Sequence, residues 1–324
     1  MKTLEIIMPH YNEDWSIVRP FFDMLSCQRE VDFSQLRVHI VHDGSEPFPK
    51  KNFANVPCTV VQTKIPHKGV SAARNYGIDH ADAKWVCFCD CDDTYASIYA
   101  LKFVFEVLGT EKHDVLWGGF VMESEGNNGI DLVPHNRYDV VWIHDKYYRL
   151  DFLKDNHLYF CEDLYMSEDS AFNTIVDMVV DKKRIGHIKA PMPLYVWCYR
   201  KGSITLDPKR LLKNMEGHFD RNLYVLEKFR EYICWDTDLQ AGRTLTDAYT
   251  NPTRADLPEG WEHFRDRVRE YILKEAKTLN RLTQDELKML QNASEKEAAG
   301  AGFLNPNRPP LREWIKTITR CKTE

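Results

Sequence analysis

The sequence has 324 residues, 43% of them hydrophobic and 28% charged, a composition typical of a folded globular protein and not of a disordered chain. A formal net charge of −6 gives no indication of a polyanion-binding protein. The sequence contains no uncharged run of eighteen apolar residues and no recognisable signal peptide, so it predicts a cytoplasmic protein whose nine cysteines are reduced.

The first ninety residues alternate between strand-like and helix-like segments. Short apolar runs predict strands at residues 3–8, 36–42, 59–62 and 84–89. Helical segments are predicted between them at residues 16–27 and 70–80. This alternation is typical of βαβ units in a mostly parallel, doubly wound sheet, in which ligands bind at the carboxyl ends of the strands.

The rest of the chain changes from a mixed to a helical pattern. Strands are predicted at residues 114–122, 139–143, 185–188 and 194–199, helices at 97–108, 150–156 and 169–180, and a polar loop or hairpin at 123–136. Beyond these, helices are predicted at residues 209–232, 261–279, 284–291 and 311–319, with a linker at 298–310. We therefore expect an α/β domain over residues 1–206 and a helical region over 207–324 that serves acceptor binding or self-association.

Three carboxylates follow the predicted strand at residues 84–89. Asp90, Asp92 and Asp93 lie in the segment FCDCDDTY, where their charges repel one another. A divalent cation such as Mg²⁺ or Mn²⁺, held by one or two carboxylates and by substrate phosphates, would relieve this repulsion. The alternative is an acidic loop that caps the following helix through Asp93 or Thr94.

Five motifs occur in a characteristic order: MPHYNED (8–14), VHDGS (41–45), KGVSAARNYGIDHA (68–81), CDCDD (89–93) and SEDSAF (167–172). Over roughly residues 3–205 they resemble the family 2 inverting glycosyltransferases of the GT-A fold. The resemblance implies a Rossmann-like α/β fold, with a mostly parallel sheet flanked by helices, followed by a mostly helical C-terminal extension. It also implies transfer of a sugar from a nucleotide sugar, with a UDP-sugar as the first candidate, to an acceptor hydroxyl.

The same resemblance assigns donor-binding roles to Pro9, Tyr11, Asn12, Glu13, Asp43, Lys68, Arg74, Asp90, Arg200 and Ser203. Tyr11 would lie near the nucleobase, and Asp43 would accept a hydrogen bond from it. The family usually has two acidic residues before Gly-Ser, whereas here His42 precedes Asp43. Arg74 would face the diphosphate or support the acidic cluster, and a purely structural salt bridge is the alternative.

The resemblance also implies a metal site and a catalytic base. Asp92 and Asp93 would ligate Mn²⁺ or Mg²⁺, and Asp169 would be the general base of an inverting displacement. The pair Glu168 and Asp169 is also what a helix N-terminus favours, because acidic residues there interact with the helix dipole. Both interpretations predict a helix that begins near residue 168.

Other functions fit the sequence less well. Sugar nucleotidyltransferases carry a glycine-rich basic loop after the first strand, where this chain has PHYNED, and no P-loop motif occurs. A binding module with a decayed transferase fold is a further alternative, which the retention of Asp92 and Asp169 disfavours. We expect a saccharide or glycan precursor as acceptor, and modified nucleic acid or protein as alternatives reached by the same chemistry.

Overall fold

The structure is a computed structural model that describes residues 1–110, 112–126, 129–138, 141–200, 211–232, 237–250, 260–300 and 309–320. The chain divides into two compact units, Met1–Asp163 with Glu168–Ser203, and Leu164–Ser167 with Ile204–Glu324. The expected domain boundary at residue 206 falls outside the described residues and stays a prediction. Within the described part of the chain, a bilayer-spanning helix is not found.

Strands and helices alternate along the first unit. Its strands are β1 Lys2–His10, β2 Leu36–Asp43, β3 Thr59–Ile65, β4 Ala83–Phe88, β5 Thr94–Tyr95, β6 Val115–Trp117, β7 Phe120–Gly126, β8 Gly129–His135, β9 Lys146–Arg149, β10 Ile185–His187 and β11 Tyr195–Trp197. Its helices are α1 Trp15–Ser26, α2 Val70–His80, α3 Ala100–Leu108, α4 Leu150–Asp155 and α5 Glu168–Val179.

A seven-stranded sheet with the order β10-β6-β9-β4-β1-β2-β3 forms the centre of this unit. It is parallel except for β9, which runs antiparallel to β4 and β6. Both faces of β1 are buried, as expected for a central parallel strand covered by helices. On one face α2 approaches closely at Gly77, where an added Cβ would lie 2.3 Å from Ile7 Cγ2. A four-stranded sheet with the order β5-β11-β7-β8 completes the unit.

Two predicted strands are wrong in extent or position. The single strand expected over 114–122 is two strands, β6 and β7, which belong to different sheets and are separated by Gly118 and Gly119. Both positions need glycine, because other parts of the chain come too close for a side chain. An added Cβ would lie 1.9 Å from Asp145 Oδ2 at Gly118 and 2.9 Å from the His135 carbonyl oxygen at Gly119. The predicted hairpin over 123–136 corresponds to the antiparallel pair β7–β8.

The strand predicted at 139–143 lies instead at β9. Residues 139 and 140 are outside the described residues, and residues 141–143 have no strand geometry. The observed strand KYYR looks polar in sequence, yet Tyr147 and Tyr148 are buried because their hydroxyls donate to Asp145 Oδ1 (2.8 Å) and Asn173 Oδ1 (2.6 Å). The partner of Tyr148 lies 25 residues away in sequence, so the local pattern does not show that this tyrosine can be buried.

Apart from Leu164–Ser167 and short turns, the described residues of the second unit are helical. Its helices are α6 Leu211–Glu231, α7 Thr237–Thr250, α8 Trp261–Lys274, α9 Ala276–Leu279, α10 Gln284–Gly300 and α11 Leu311–Arg320. Their apolar faces form a separate core around residues such as Phe219, Leu245, Phe264 and Trp314. Helix α7 was not predicted, the helix expected over 261–279 is interrupted at Glu275, and α10 continues into the expected linker.

Candidate active site

The loop that follows β1 is held by its own polar groups. Pro9 is buried at the end of β1 and pairs with Val41 of β2. Asn12 has a left-handed backbone (φ 64°), and its N–H donates to Ser45 Oγ (2.8 Å). The N–H of Tyr11 donates to Glu13 Oε2 (2.9 Å), so the Glu13 carboxylate helps to fix the loop.

An exposed aromatic stack lies beside this loop. The Tyr11 ring is 48% exposed and stacks on His67, with the ring centroids 4.2 Å apart and the planes 13° from parallel. A flat, exposed aromatic face of this kind can accept a further planar group by stacking. His67 was not among the residues that the sequence singled out, since a histidine in a loop carries no signal of its own.

Asp43, at the end of β2, is buried and anchors the loop that precedes α2. Its carboxylate accepts hydrogen bonds from the N–H groups of Lys68 (2.7 Å) and Gly69 (2.8 Å) and contacts His67 Nδ1 at 2.8 Å. These contacts use about three of the four lone-pair sites of a carboxylate. The side chain of Lys68 is exposed, so Lys68 contacts this carboxylate through its backbone.

Arg74 joins two of the acidic motifs. It is buried on α2 and donates from Nη2 to Asp90 Oδ1 (2.9 Å) and from Nη1 to Glu168 Oε1 (2.8 Å), and its guanidinium lies 5.2 Å from the centroid of the Phe160 ring. Burial alone would raise the pKa of Asp90, but the charge and hydrogen bond of Arg74 hold that pKa below its usual value. Of the roles considered for Arg74, the geometry matches support of the acidic cluster.

Asp90 also belongs to a cluster of three side chains that could bind a metal ion. The ligand atoms of Asp90, Asp93 and His144 all lie within 4.8 Å of one another. Burial lowers the pKa of His144 to about 3, so the ring is neutral at pH 7. Its Nδ1 is buried without a hydrogen-bond partner among the described residues and lies 3.7 Å from Asp93 Oδ2. The sequence did not single out His144, because a lone histidine after an apolar run gives no sign of the residues that lie beside it in the fold.

Asp93 also fixes the strand that closes the unit. It accepts hydrogen bonds from the Tyr195 hydroxyl (2.5 Å) and the Cys198 N–H (2.9 Å). Burial and the neighbouring Asp90 carboxylate raise its pKa well above the usual value. Asp93 therefore has a structural role toward β11, whatever else it binds.

Asp92 is half-buried, and its carboxylate contacts different residues from that of Asp93. Its Oδ2 lies 3.2 Å from Arg200 Nε, and Arg200 Nη2 lies 3.8 Å from Glu13 Oε1. Burial and the Asp90 charge raise the pKa of Asp92, which indicates a carboxylate that a cation would stabilise. Carboxylate oxygens and one neutral imidazole nitrogen fit Mn²⁺ or Mg²⁺ as ligands. Ser203 falls outside the described residues.

Glu168 and Asp169 differ in their partners at the start of α5. The Glu168 carboxylate is bound by Arg74, whereas Asp169 is half-buried and its Oδ1 accepts from the Ser170 N–H (2.6 Å). Burial and the neighbouring Glu168 carboxylate raise the pKa of Asp169 to about 7, against the opposing charge of Arg74. A carboxyl group with this pKa can accept a proton near neutral pH, as a general base must.

Comparison with known proteins supplies a family and several relatives. The family model described as "Glycosyl transferase family 2" matches residues 5–173. The minor teichoic acid biosynthesis protein GgaB of Bacillus subtilis (strain 168) is 23% identical over 249 residues, which cover 70% of this chain and 27% of GgaB. The poly(ribitol-phosphate) beta-N-acetylglucosaminyltransferase TarS of Staphylococcus aureus (strain MW2) is 27% identical over 192 residues, covering 53% of this chain and 32% of TarS. The chain thus spans less than a third of the length of either relative.

Solved structures share the fold. The crystal structure of S. aureus TarS 1–349 in complex with UDP has a TM-score of 0.60 at 17% identity and covers 95% of this chain and 98% of that chain. The mannosyltransferase PcManGT of Pyrobaculum calidifontis, in complex with GDP-Man and Mn²⁺, has a TM-score of 0.52 at 14% identity. The match covers 97% of this chain and 83% of that chain. These similarities confirm the predicted GT-A fold with its helical C-terminal part.

Proposed function

The chain belongs to glycosyl transferase family 2, and from this premise we propose that it transfers a sugar from a nucleoside-diphosphate sugar to a hydroxyl group of a glycan. The first donor to test is UDP-GlcNAc and the first acceptor is poly(ribitol phosphate), because TarS, a relative, is named for that transfer. S. aureus TarS 1–349 has also been crystallised in complex with UDP-GlcNAc.

The donor would bind at the carboxyl ends of β1, β2 and β4. The exposed Tyr11 ring offers a stacking face for the nucleobase, with Pro9, Asn12, Glu13, Asp43 and Lys68 forming the pocket around it. Asp90 would contact the ribose. The 43%-exposed guanidinium of Arg200 is close enough to the acidic motif to bind the diphosphate, and Ser203 is proposed beside it from the family resemblance.

A divalent cation, Mn²⁺ or Mg²⁺, completes the proposal. Asp92 would be the main ligand by the family resemblance, and the cluster of Asp90, Asp93 and His144 offers the further candidates. Once bound, the cation would offset the negative charge that develops on the departing nucleoside diphosphate. The clustering of Asp90, Asp93 and His144 and the unsatisfied Nδ1 of His144 support a cation at this place.

Asp169 would act as the general base. The observation that carries this role is the difference between two neighbouring carboxylates: Glu168 is bound by Arg74, while Asp169 has a pKa raised to about 7. Asp169 would take the proton of the acceptor hydroxyl as its oxygen attacks the anomeric carbon. The bond between that carbon and the diphosphate oxygen breaks in the same step, so the configuration inverts.

The experiment measures UDP release and product formation with UDP-GlcNAc and poly(ribitol phosphate). We expect turnover with Mn²⁺ or Mg²⁺, loss of turnover in excess EDTA, and a product whose anomeric configuration, read by NMR, is opposite to that of the donor. Other UDP-, GDP-, CDP- and dTDP-sugars serve as the comparison set. Failure of every nucleotide sugar to bind or react would contradict the proposed function.

The Asp92→Asn variant tests the cation site separately. Asn keeps the size of the side chain but removes its charge, so turnover should be lost while the fold, checked by circular dichroism, is retained. Full turnover of the wild type in excess EDTA would refute the role of the cation and leave glycosyl transfer itself in place.

A further inference from the structure

Two buried histidines meet at the carboxyl ends of β1 and β2. His10 and His42 pair in register across the two strands, are 3% and 0% exposed, and have their Nδ1 atoms 2.9 Å apart. The Phe48 ring packs against both imidazoles, with centroid distances of 4.6 and 5.5 Å.

The outer nitrogen of His42 must carry a hydrogen. His42 Nε2 lies 3.0 Å from Gln62 Oε1. The amide of Gln62 has one possible orientation, because its Oε1 accepts from the Phe48 N–H (2.9 Å) and its Nε2 donates to the Phe48 carbonyl oxygen (3.0 Å). Since Oε1 can only accept hydrogen bonds, His42 Nε2 is the donor.

The outer nitrogen of His10 must carry a hydrogen too. His10 Nε2 lies 2.9 Å from the backbone carbonyl oxygen of Glu13, and a carbonyl oxygen only accepts hydrogen bonds. Two neutral imidazoles carry one N–H each, and both are used at the outer nitrogens. Without a third hydrogen the two Nδ1 lone pairs would face each other at 2.9 Å.

We propose that His10 and His42 share one additional proton between their Nδ1 atoms, and that this charged pair positions the loop of residues 11–13 in the donor site. One ring is then an imidazolium that donates to its neutral neighbour, and all four ring nitrogens are satisfied. The role assigned to the loop rests on the proposed function, whereas the proton count does not.

The surrounding groups are compatible with a single positive charge. The titratable groups that face the pair are Glu13, Glu46 and His39, and Lys64, which pairs in register with His42 on β3, forms an ion pair with Glu46. The Glu13 carboxylate lies 3.9 Å from His10 Nε2, and Glu46 also favours the charged form. Burial, the charge of His10 and, more weakly, His39 oppose a charge on His42 and lower its pKa to about 4. At pH 7 a second extra proton is therefore excluded.

The consequence for the donor loop follows from the contact between His10 and Glu13. The loop has a left-handed residue at Asn12 (φ 64°), a conformation that Asn adopts more readily than most residues, and the Asn12 N–H donates to Ser45 Oγ (2.8 Å). Removing the shared proton would set two lone pairs against each other and push the His10 ring away from the Glu13 carbonyl. His10 and His42 are thus positioning residues, and their loss should raise the donor KM more than it lowers kcat.

Histidine ¹⁵N NMR on the full-length protein counts the protons directly. At pH 7 without ligand, we expect three of the four ring nitrogens of His10 and His42 to carry hydrogen, with the signals assigned from His10→Asn and His42→Asn variants. Two protonated nitrogens would overturn the proposal. Three protonated nitrogens in a protein that transfers no sugar would support the shared proton and contradict the proposed function.

Two substitutions at His42 test the positioning role. In His42→Asn the amide can donate to or accept from His10 Nδ1, so the donor KM should stay near that of the wild type. In His42→Leu the contact is lost, and the donor KM should rise about tenfold, the equivalent of one hydrogen bond. An unchanged KM in His42→Leu would overturn the positioning role.

His39→Asn is the matched control. His39 is buried on the same strand and contacts Glu5 Oε1 at 3.2 Å, so this variant also loses a buried imidazole. Its stability should fall while its donor KM at pH 7 stays unchanged. A rise in KM equal to that of His42→Leu would show a general effect of destabilisation and overturn the specific role of the pair.

Discussion

The two compact units of the chain bury different kinds of polar groups. The first unit buries ionisable side chains, among them Glu5, His10, His39, His42, Asp43, Arg74, Asp93, His144, Asp145 and Lys146. In the described residues of the second unit the buried polar groups are mostly amides and hydroxyls, namely Asn222, Gln240, Thr244, Thr246, Thr250 and Ser294, with Arg221 and Glu275 as the charged members.

The partners of these groups differ in kind as well. In the second unit the buried hydroxyls bond mostly to backbone carbonyls, as in Thr244 Oγ1 to the Gln240 carbonyl oxygen (2.9 Å) and Ser294 Oγ to the Thr246 carbonyl oxygen (3.2 Å). In the first unit Arg74 and Glu168 meet across 94 residues of sequence, and the carboxyl groups around them have shifted pKa values. Buried charges carry a desolvation penalty of several kcal/mol, and clusters of perturbed groups are typical of functional sites. We therefore expect the chemistry to lie in the first unit.

Asp169→Asn is the substitution with the largest expected effect. Asn retains the size and hydrogen-bonding capacity of the side chain but cannot take the acceptor proton, so kcat should fall by about 10²- to 10⁴-fold while donor affinity changes little. Steady-state kinetics with a separate UDP titration would measure both quantities. Retention of more than about a tenth of the turnover, together with its abolition in Glu168→Gln, would assign the base to Glu168.

A buried carboxylate of the second unit supplies the control for this variant. Glu275 is 4% exposed and accepts a hydrogen bond from Arg230 (2.6 Å). Glu275→Gln should lower stability without lowering kcat. A loss of turnover comparable with that of Asp169→Asn would contradict the expectation that the chemistry lies in the first unit alone.

Arg74→Met should cause the largest loss of stability. The variant leaves the Asp90 and Glu168 carboxylates without their buried cation, and removing one partner of a buried pair costs about 3 to 5 kcal/mol of unfolding free energy. Arg267→Met in the second unit breaks the half-exposed pair with Asp220 and should cost about 0 to 1 kcal/mol. Urea denaturation followed by circular dichroism would measure both, and equal losses would contradict the comparison.

The regular part of the first unit could be predicted from local sequence. Helix α2 was predicted at its observed bounds, and β1 and β2 within two residues, because their apolar patterns depend on neighbours close in sequence. The turn at Gly118 and Gly119 depends on Asp145 and His135, which come later in the chain. Helix α7 was missed because its buried face includes hydroxyls such as Thr244 and Thr246, which do not show an apolar period.

The candidate site was predictable in its motifs and not in its contacts. The acidic cluster and the pair Glu168–Asp169 were recognisable from the resemblance, and their roles stay predictions. The sequence did not show that Arg74 binds Glu168, nor that His144 lies beside Asp93. These contacts join strand ends and helices that only the folded sheet brings together.

The pH dependence of kcat tests Asp169 by a smaller effect. The base acts as a carboxylate, and burial raises its pKa from 3.8 to about 7, so kcat should fall about tenfold for each pH unit below 7 and level off above it. This acid limb should be absent from the residual activity of Asp169→Asn. Burial also raises the pKa of Asp145 to about 7, and an acid limb that persists in Asp169→Asn but disappears in Asp145→Asn would assign it to Asp145.

Thr244→Val should have the smallest effect and tests the second unit itself. Thr244 is fully buried on α7, and its hydroxyl donates to Gln240 O, a carbonyl four residues earlier in the same helix. Val keeps the volume and the β-branched shape, so no cavity forms and the carbonyl keeps access to its helical N–H partner. The unfolding free energy should therefore fall by about 1 kcal/mol or less, and kcat should not change.

A loss above about 3 kcal/mol, as large as that of a broken buried ion pair, would show that the hydroxyl belongs to a wider buried network. In that case the second unit would depend on its polar interior as strongly as the first.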